Sequence, residues 1–231
     1  MLVATRNPLN LGAAARAMSN FGFLRLRVVN PYELAFREAR SAVGASALLK
    51  NAEEYKTVAD AVADCTLVVG TTALRSRELN HTLHPLERGA ARIRKQLRSQ
   101  RIALLFGSEK VGLSNQDLSH CHWLIRIPTR EQHASMNLGQ AVAVCLYELA
   151  RQTNTMPKAA RPPTASAGEV ERITQVLLEA LGACGYLSPR SAASADAKIR
   201  RLVRRLHLEK DDAAVCLGML RQILWKLRSQ A

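Results

Sequence analysis

Five short apolar runs, Leu2 to Thr5, Leu26 to Val29, Thr66 to Gly70, Ile102 to Phe106 and Trp123 to Ile127, recur through the first 130 residues, bounded by Gly, Asn or Pro. They are apolar throughout rather than alternating, which is the pattern of strands buried on both faces. Between them the spacing predicts helices over Leu11 to Asn20 ending at Gly22, around Ala59 to Ala63, over Leu86 to Arg98, and from Asn137 onward. Strands and helices alternating in this way specify an α/β fold, a mostly parallel sheet covered on both sides. In such sheets ligands bind at the carboxyl ends of the strands.

The pattern changes after residue 152. Residues 153–168 concentrate Pro, Ala, Ser and Thr without periodicity and are expected to be a linker. Three apolar stripes follow within residues 169–231: Val170, Ile173, Val176, Leu177 and Leu181; Ile199, Leu202, Val203 and Leu206; Val215, Leu217, Leu220, Ile223, Leu224 and Leu227. They predict a small all-α domain of three helices. Lys198, Arg200, Arg201, Arg204 and Arg205 are expected on the exposed side of the middle helix. There Arg200 stacks over Arg204 and Arg201 over Arg205 without acidic relief, an arrangement that repels itself unless a phosphate lies opposite. RNA or DNA contact and a merely solvated face are the two readings of these residues.

Charge supports a polyanionic partner. The 231-residue chain carries a net charge of +14, and a field of that size attracts phosphate and gains from counterion release. From Arg151 onward 14 Lys and Arg stand against 7 Asp and Glu, so half of the excess sits on the last 81 residues. No run approaches the roughly 18 apolar residues of a membrane helix, and MLVATRNPLN lacks the layout of a secretion signal, so no membrane association is expected and the expected compartment is the cytoplasm. Five separated cysteines without a CxxC pair suggest reduced, mostly buried thiols rather than disulfides or a zinc site. The histidines lack metal-ligand spacing, and no metal is expected.

Three segments carry candidate chemistry. Residues 135–148, SMNLGQAVAVCLYE, set a hydroxyl and a carboxamide, Ser135 and Asn137, at the start of an apolar helix. That opening is either an ordinary N-cap or a place for an anionic or polar ligand. Residues 106–114, FGSEKVGLS, follow a strand and space two glycines like a phosphate loop, but Leu113 stands where that loop needs Lys. Triphosphate hydrolysis is therefore not expected, and the glycines instead allow close backbone approach to another ligand or a tight turn. Glu109 sits inside that loop. Asn10-Leu11-Gly12 is expected to open the first helix, with Arg16 about 600° further round, the one long polar side chain among small alanines. An isolated guanidinium there seeks a phosphate, a substrate carboxylate or an intramolecular ion-pair partner.

NLGAAARAMSNFG, LLFGSEKVGL, and IPT followed by SMNLGQAVAVCLYE, in that order and at these separations, resemble the three motifs of the SpoU (TrmH) family of SPOUT methyltransferases. The resemblance runs from the N-terminus to about Arg151. VVGTTALRSR at residues 68–77 and the basic helical extension further resemble the TrmJ branch, which modifies nucleotide 32 in tRNA anticodon loops. The resemblance implies transfer of methyl from S-adenosyl-L-methionine to a ribose 2′-hydroxyl by a homodimer, one subunit helping to present RNA to the other's cofactor. It implies a SPOUT-type parallel-sheet domain with a deep trefoil knot at its C-terminal end, which no composition could have shown. It places the cofactor against Thr71, Thr72 and Ala73, against Phe106, Gly107 and Gly112, against Ile127 and Pro128, and against Ala134, Ser135, Met136 and Leu138. It assigns catalysis to Arg16, with Asn10, Glu109, Ser135 and Asn137 around it.

An arginine stays protonated, so the expected role of Arg16 is to clamp the target's phosphate and 2′-oxygen while phosphate or water takes the proton. Arg75 and Arg77 are expected to hold the RNA backbone beside the cofactor loop. Competing readings are a ribosomal RNA methyltransferase and a knotted RNA-binding module without activity. A DNA-binding regulator is disfavoured, and no DNA partner is expected, because the Arg/Lys face lacks Asn or Gln to read bases.

Overall fold

The computed structural model describes residues 1–41, 47–73, 81–97, 99–151, 163–187 and 192–229. Among them seven strands are parallel: β1 (Leu2–Val3), β2 (Arg27–Val29), β3 (Glu53–Tyr55), β4 (Leu67–Thr71), β5 (Leu83–Pro85), β6 (Ile102–Leu105) and β7 (Trp123–Arg126). They form one ladder in the order β1-β2-β3 and another in the order β5-β7-β4-β6. Backbone bonds join the two: Val3 N–H donates to Phe106 C=O at 2.8 Å and Phe106 N–H to Met1 C=O at 3.0 Å. The result is a continuous sheet, β5-β7-β4-β6-β1-β2-β3, with β1 near its middle.

All five expected strands are present, within a residue or two of the expected ends. Burial on both faces is equally clear. Leu67, Val69, Trp123 and Ile125 face a core built with α1 (Pro8–Asn20), α2 (Glu33–Ser41), α3 (Ala47–Lys50), α5 (Leu86–Arg94) and α7 (Leu138–Ala150). Val68, Leu105 and Leu124 face the other way, toward α4 (Val58–Val62) and α6 (Asn115–Ser119). Strands β3 and β5 carry no readable signal: one is Glu-Glu-Tyr and the other ends in Pro.

Helix α1 opens earlier than expected, at Pro8, because the Asn7 side chain accepts from Leu9 N–H and proline suits a first-turn position. Asn10 is therefore a buried residue of the first turn rather than its opening. Where α1 crosses α7 the backbones meet closely; a Cβ on Gly139 would lie 2.6 Å from that of Ala13.

The remaining helices are α8 (Ala167–Ala183), α9 (Ala192–Arg205) and α10 (Lys210–Arg228). Ser166 and Glu169 form a capping box at the start of α8, two residues inside the expected linker. Ala167 and Gly168 N–H donate to Cys65 and Ala63 C=O at 2.6 and 2.8 Å, which anchors α8 on the turn after α4.

On α9 the expectation fails. Arg200 and Arg204 are buried, not exposed, while Leu202 and Leu206 of the expected apolar stripe are exposed. The reason is acidic relief, part of it at helical spacing in Asp196 and overlooked there, and the larger part from Glu171 on another helix, which spacing does not show. Arg200 donates to both oxygens of Glu171 on α8, at 3.1 Å, and to Asp196 one turn earlier, at 2.8 and 3.0 Å. Arg204 Nη2 reaches Glu171 at 3.4 Å. Lys198 and Arg205 remain exposed and Arg201 is half-buried. No helix of the described residues is long and apolar enough to cross a membrane.

Candidate active site

The carboxyl ends of β4, β6 and β7 open into a cavity of about 270 Å³. Parallel strands deliver three loops there. Thr71 Oγ1 donates to Leu105 C=O at 2.9 Å and Thr72 N–H to Ile125 C=O at 3.0 Å, which fixes the end of β4 between β6 and β7. The second wall is the loop of residues 107–113, folded back so that Gly112 N–H donates to Ser108 C=O at 2.9 Å. Its glycines are required by that turn: a Cβ on Gly107 would lie 2.0 Å from the carbonyl carbon of Gly112, and Gly112 has φ +72°. The third wall is residues 127–138, leading into α7.

Every residue expected to touch a cofactor lines this cavity except Pro128: Thr71, Thr72, Ala73, Phe106, Gly107, Gly112, Ile127, Ala134, Ser135, Met136 and Leu138. Ser108, Glu109, Lys110, Val111, Leu113 and Thr129 also line it; the first five stand inside the LLFGSEKVGL motif, and Thr129 had only its place in IPT as a signal. Leu118, Ile125 and Ala141 form apolar wall that nothing in the spacing pointed to.

At the edge of the cavity, where Glu109 lines it, the three motif segments are tied in series. Asn137 Nδ2 donates to Asn10 Oδ1 at 2.8 Å, and Asn10 Nδ2 donates to Glu109 Oε1 at 3.0 Å. The Arg6 and Asn7 N–H groups also donate to Glu109, at 3.2 and 3.3 Å. Burial works to raise the Glu109 pKa, but the hydrogen bonds from Asn10, Arg6 and Asn7 outweigh it and hold the carboxyl below its usual range. Glu109 is thus an ionised tie between the β1–α1 turn and the cavity loop, unsuited to carry a proton near neutral pH.

Both readings of the Ser-x-Asn opening apply, to different residues. Asn137 is the N-cap of α7, its Oδ1 accepting from Gly139 and Gln140 N–H at 2.9 and 3.3 Å. Ser135, two residues earlier, lines the cavity. Arg16 projects from α1 into solvent and makes no side-chain hydrogen bond or ion pair among the described residues, so the intramolecular ion pair open to it in the sequence does not form there. Arg75 and Arg77 lie outside the described residues. No cluster of His, Cys, Asp and Glu suited to a metal occurs among the described residues, and Cys65, Cys121 and Cys145 are buried free thiols.

The model of the SpoU rRNA methylase family matches residues 1–147. The chain belongs to the SpoU family. Its similarity to known members extends past the methylase region. It is 35% identical to the tRNA (cytidine/uridine-2'-O-)-methyltransferase TrmJ of Sodalis glossinidius, covering 96% of this chain and 89% of that one. The TrmJ of Klebsiella pneumoniae is also 35% identical, with 96% and 94% covered. Among solved SpoU structures, TrmJ from Z. mobilis ZM4 superposes with a TM-score of 0.83 at 31% identity, over 96% of both chains.

Proposed function

We propose that this SpoU protein is a cytoplasmic, S-adenosyl-L-methionine-dependent RNA 2′-O-ribose methyltransferase that acts on tRNA at position 32 of the anticodon loop. One observation carries the reading: the relay Asn137–Asn10–Glu109 locks three motif segments around a cavity at the strand ends, with an exposed arginine, unpaired among the described residues, on the same helix as Asn10. The names of the TrmJ relatives support tRNA as the substrate class.

The cavity suits the cofactor. Gly107 lets backbone approach where a side chain could not fit, and the apolar wall of Leu113, Leu118, Ile125 and Ala141 faces polar loop groups, as a ligand that is part nucleoside and part amino acid requires. Thr71, Thr72, Ala73, Phe106, Gly107, Gly112, Ile127, Ala134, Ser135, Met136 and Leu138 would hold it, with Pro128 setting the course of the loop. When bound, the cofactor supplies an electrophilic methyl group. The chain's own residues position the ribose. Arg16, always protonated, holds the target's phosphate and 2′-oxygen, Ser135 sets the angle of approach, and phosphate or water accepts the hydroxyl proton.

Fold details go with this proposal. Residues 1–152 form the methyltransferase domain, its C-terminal segment threaded as a trefoil knot, and the linker expected over 153–168 gives way at Ala167 to a helical domain that opens with α8. The working form is a homodimer. Leu9 and Ala13 on α1 and Val144 and Tyr147 on α7 leave apolar surface exposed on two packed helices that also bear Arg16, a face suited to a second copy.

The test is transfer of tritiated methyl from S-adenosyl-L-methionine into bulk tRNA, with mapping of the modified nucleotide. Arg16→Lys is expected to keep tRNA affinity within about threefold and to lose most single-turnover activity, because an ammonium cannot make the bidentate contact. Unchanged single-turnover rates would remove Arg16 from the reaction.

A further inference from the structure

With Arg200 and Arg204 folded inward against Glu171, the RNA-facing charge must lie elsewhere. Many other cations are also committed to carboxylates: Arg25, Arg27, Arg37, Arg101, Arg151 and Arg228 all make ion pairs. Three exposed cations on or beside the cavity loops make no ion pair among the described residues. Lys110 lines the cavity on the glycine loop. Arg6 occupies the β1–α1 turn, its N–H bonded to Glu109, the residue next to Lys110. Arg130 follows the cavity residue Thr129 on the third loop. None of the three makes a side-chain hydrogen bond or ion pair among the described residues. Arg126 does not belong with them, since alternation along β7 sends it opposite to the cavity residue Ile125.

We infer that Arg6, Lys110 and Arg130, from the β1–α1 turn, the glycine loop and the loop after β7, form a phosphate-gripping rim that holds the RNA backbone on either side of the nucleotide entering the site. The inference rests on the RNA-methylation reading above. The 3′-phosphate hangs from the carbon next to the one that bears the 2′-hydroxyl and the 5′-phosphate from the exocyclic carbon beyond, so a nucleotide that lowers its 2′-hydroxyl into the cavity leaves its backbone phosphates at the edge. Cations gathered there without acidic partners repel one another until a polyanion arrives. Of the carboxylates beside them, Glu109 is already engaged by Asn10 and two backbone N–H groups, and Glu131, next to Arg130, makes no ion pair with any of the three among the described residues. Phosphate contacts carry no base information, so the rim sets register and affinity, and choice of nucleotide comes from elsewhere.

The experiment is binding of bulk tRNA to the full chain as a function of salt, with Arg6→Gln/Lys110→Gln/Arg130→Gln against wild type. Each lost phosphate contact on a single-stranded loop should remove about 0.7 from the slope of log K against log[salt], so the triple variant should lose about 2. Lys95→Gln, at the far end of α5, should leave the slope unchanged. Arg6→Gln/Arg130→Gln should bind S-adenosylhomocysteine with wild-type affinity by calorimetry while its KM for tRNA rises at least about fivefold, a split that generalised damage would not produce. A triple variant with the wild-type slope overturns the rim and leaves methyl transfer standing. A wild-type chain that neither binds tRNA nor methylates it overturns both.

Discussion

Gly107 shows how a single residue can be indispensable without a functional group. Its absent side chain is what allows the loop to return on itself, the Gly112 carbonyl carbon and Leu113 nitrogen standing 2.0 and 2.1 Å from where a Cβ would be. Both atoms are backbone, so nothing flexible can yield. Gly107→Ala should therefore open the loop and weaken S-adenosylhomocysteine binding at least about tenfold by calorimetry. Because the loop bears on the cavity more than on the core, the melting temperature should fall by only a few degrees, and tight binding by the variant would show that the wall is not formed by this turn. The residue types in the motifs were legible in the sequence, but their division of labour was not. Asn137 and Ser135 look interchangeable as caps until the structure commits Asn137 to the helix and to Asn10, leaving Ser135 on the cavity.

Among the elements, the corner between α6 and β7 concentrates a titration. His122 Nδ1 accepts from Val68 N–H at 3.0 Å and its ring stacks on His207. Burial holds the His122 pKa down to about 3, with the charges of Arg204 and His207 adding to it. Burial likewise lowers His120 to about 4, aided by Arg200 and Arg204 and opposed by Glu171 and Asp117. His81, facing Arg201, Arg205 and the Leu118 backbone, is lowered to about 4, again mainly by burial. Folded values below the unfolded value mean that the unfolded chain binds more protons once pH drops below about 6.5. Stability should fall between about 6.5 and 4 by about 1.4 kcal/mol per pH unit for each histidine, added to a one-proton slope that begins near pH 8, because burial lowers the Met1 amino group to about 5. Glu53, which hydrogen bonds from Arg25 lower to about 2, weakens the fold only at pH below about 4.5, so the two windows separate. Urea unfolding between pH 8 and 5 checks this. His122→Asn, which keeps the acceptor for Val68, should reduce the slope by about one proton.

The same corner explains which elements a sequence reveals. Strands β4, β6 and β7 are legible because burial on both faces leaves only apolar residues. At the sheet's edges the constraint relaxes. In β3, Glu53 is satisfied by Arg25 and Arg27 from the neighbouring strand and its approach, partners with no local signature. Helix α9 was misread for a related reason: i,i+4 arginines repel in isolation, and the carboxylate that reverses the sign belongs to Glu171, 29 residues before Arg200.

At the scale of the whole molecule, that carboxylate joins the C-terminal helices to the cavity. Helix α9 packs on α6, whose Leu118 belongs to the cavity wall, and Glu171 on α8 holds Arg200 and Arg204 between them. The ion cluster is unevenly satisfied. Arg200 is fully engaged, whereas Arg204, with its side chain 1% exposed, has no partner for Nε or Nη1 among the described residues. Breaking a buried pair strands a charge, while removing an ill-satisfied one together with its desolvation cost does not. Glu171→Ala leaves two guanidinium groups facing only Asp196 and should cost about 3 kcal/mol or more. Arg204→Met should be neutral or stabilising, and in the double variant it should recover a substantial part of the loss. The two tryptophans locate the effect, Trp123 lying in the sheet and Trp225 on α10. Single-tryptophan versions should unfold in urea with coincident midpoints in the wild-type background. In Glu171→Ala the Trp225 midpoint should fall first, as α8, α9 and α10 part from the sheet. If Arg204→Met instead destabilises as much as Glu171→Ala, the seam is held by the Arg204 charge itself, and the stranded-charge account of it is wrong.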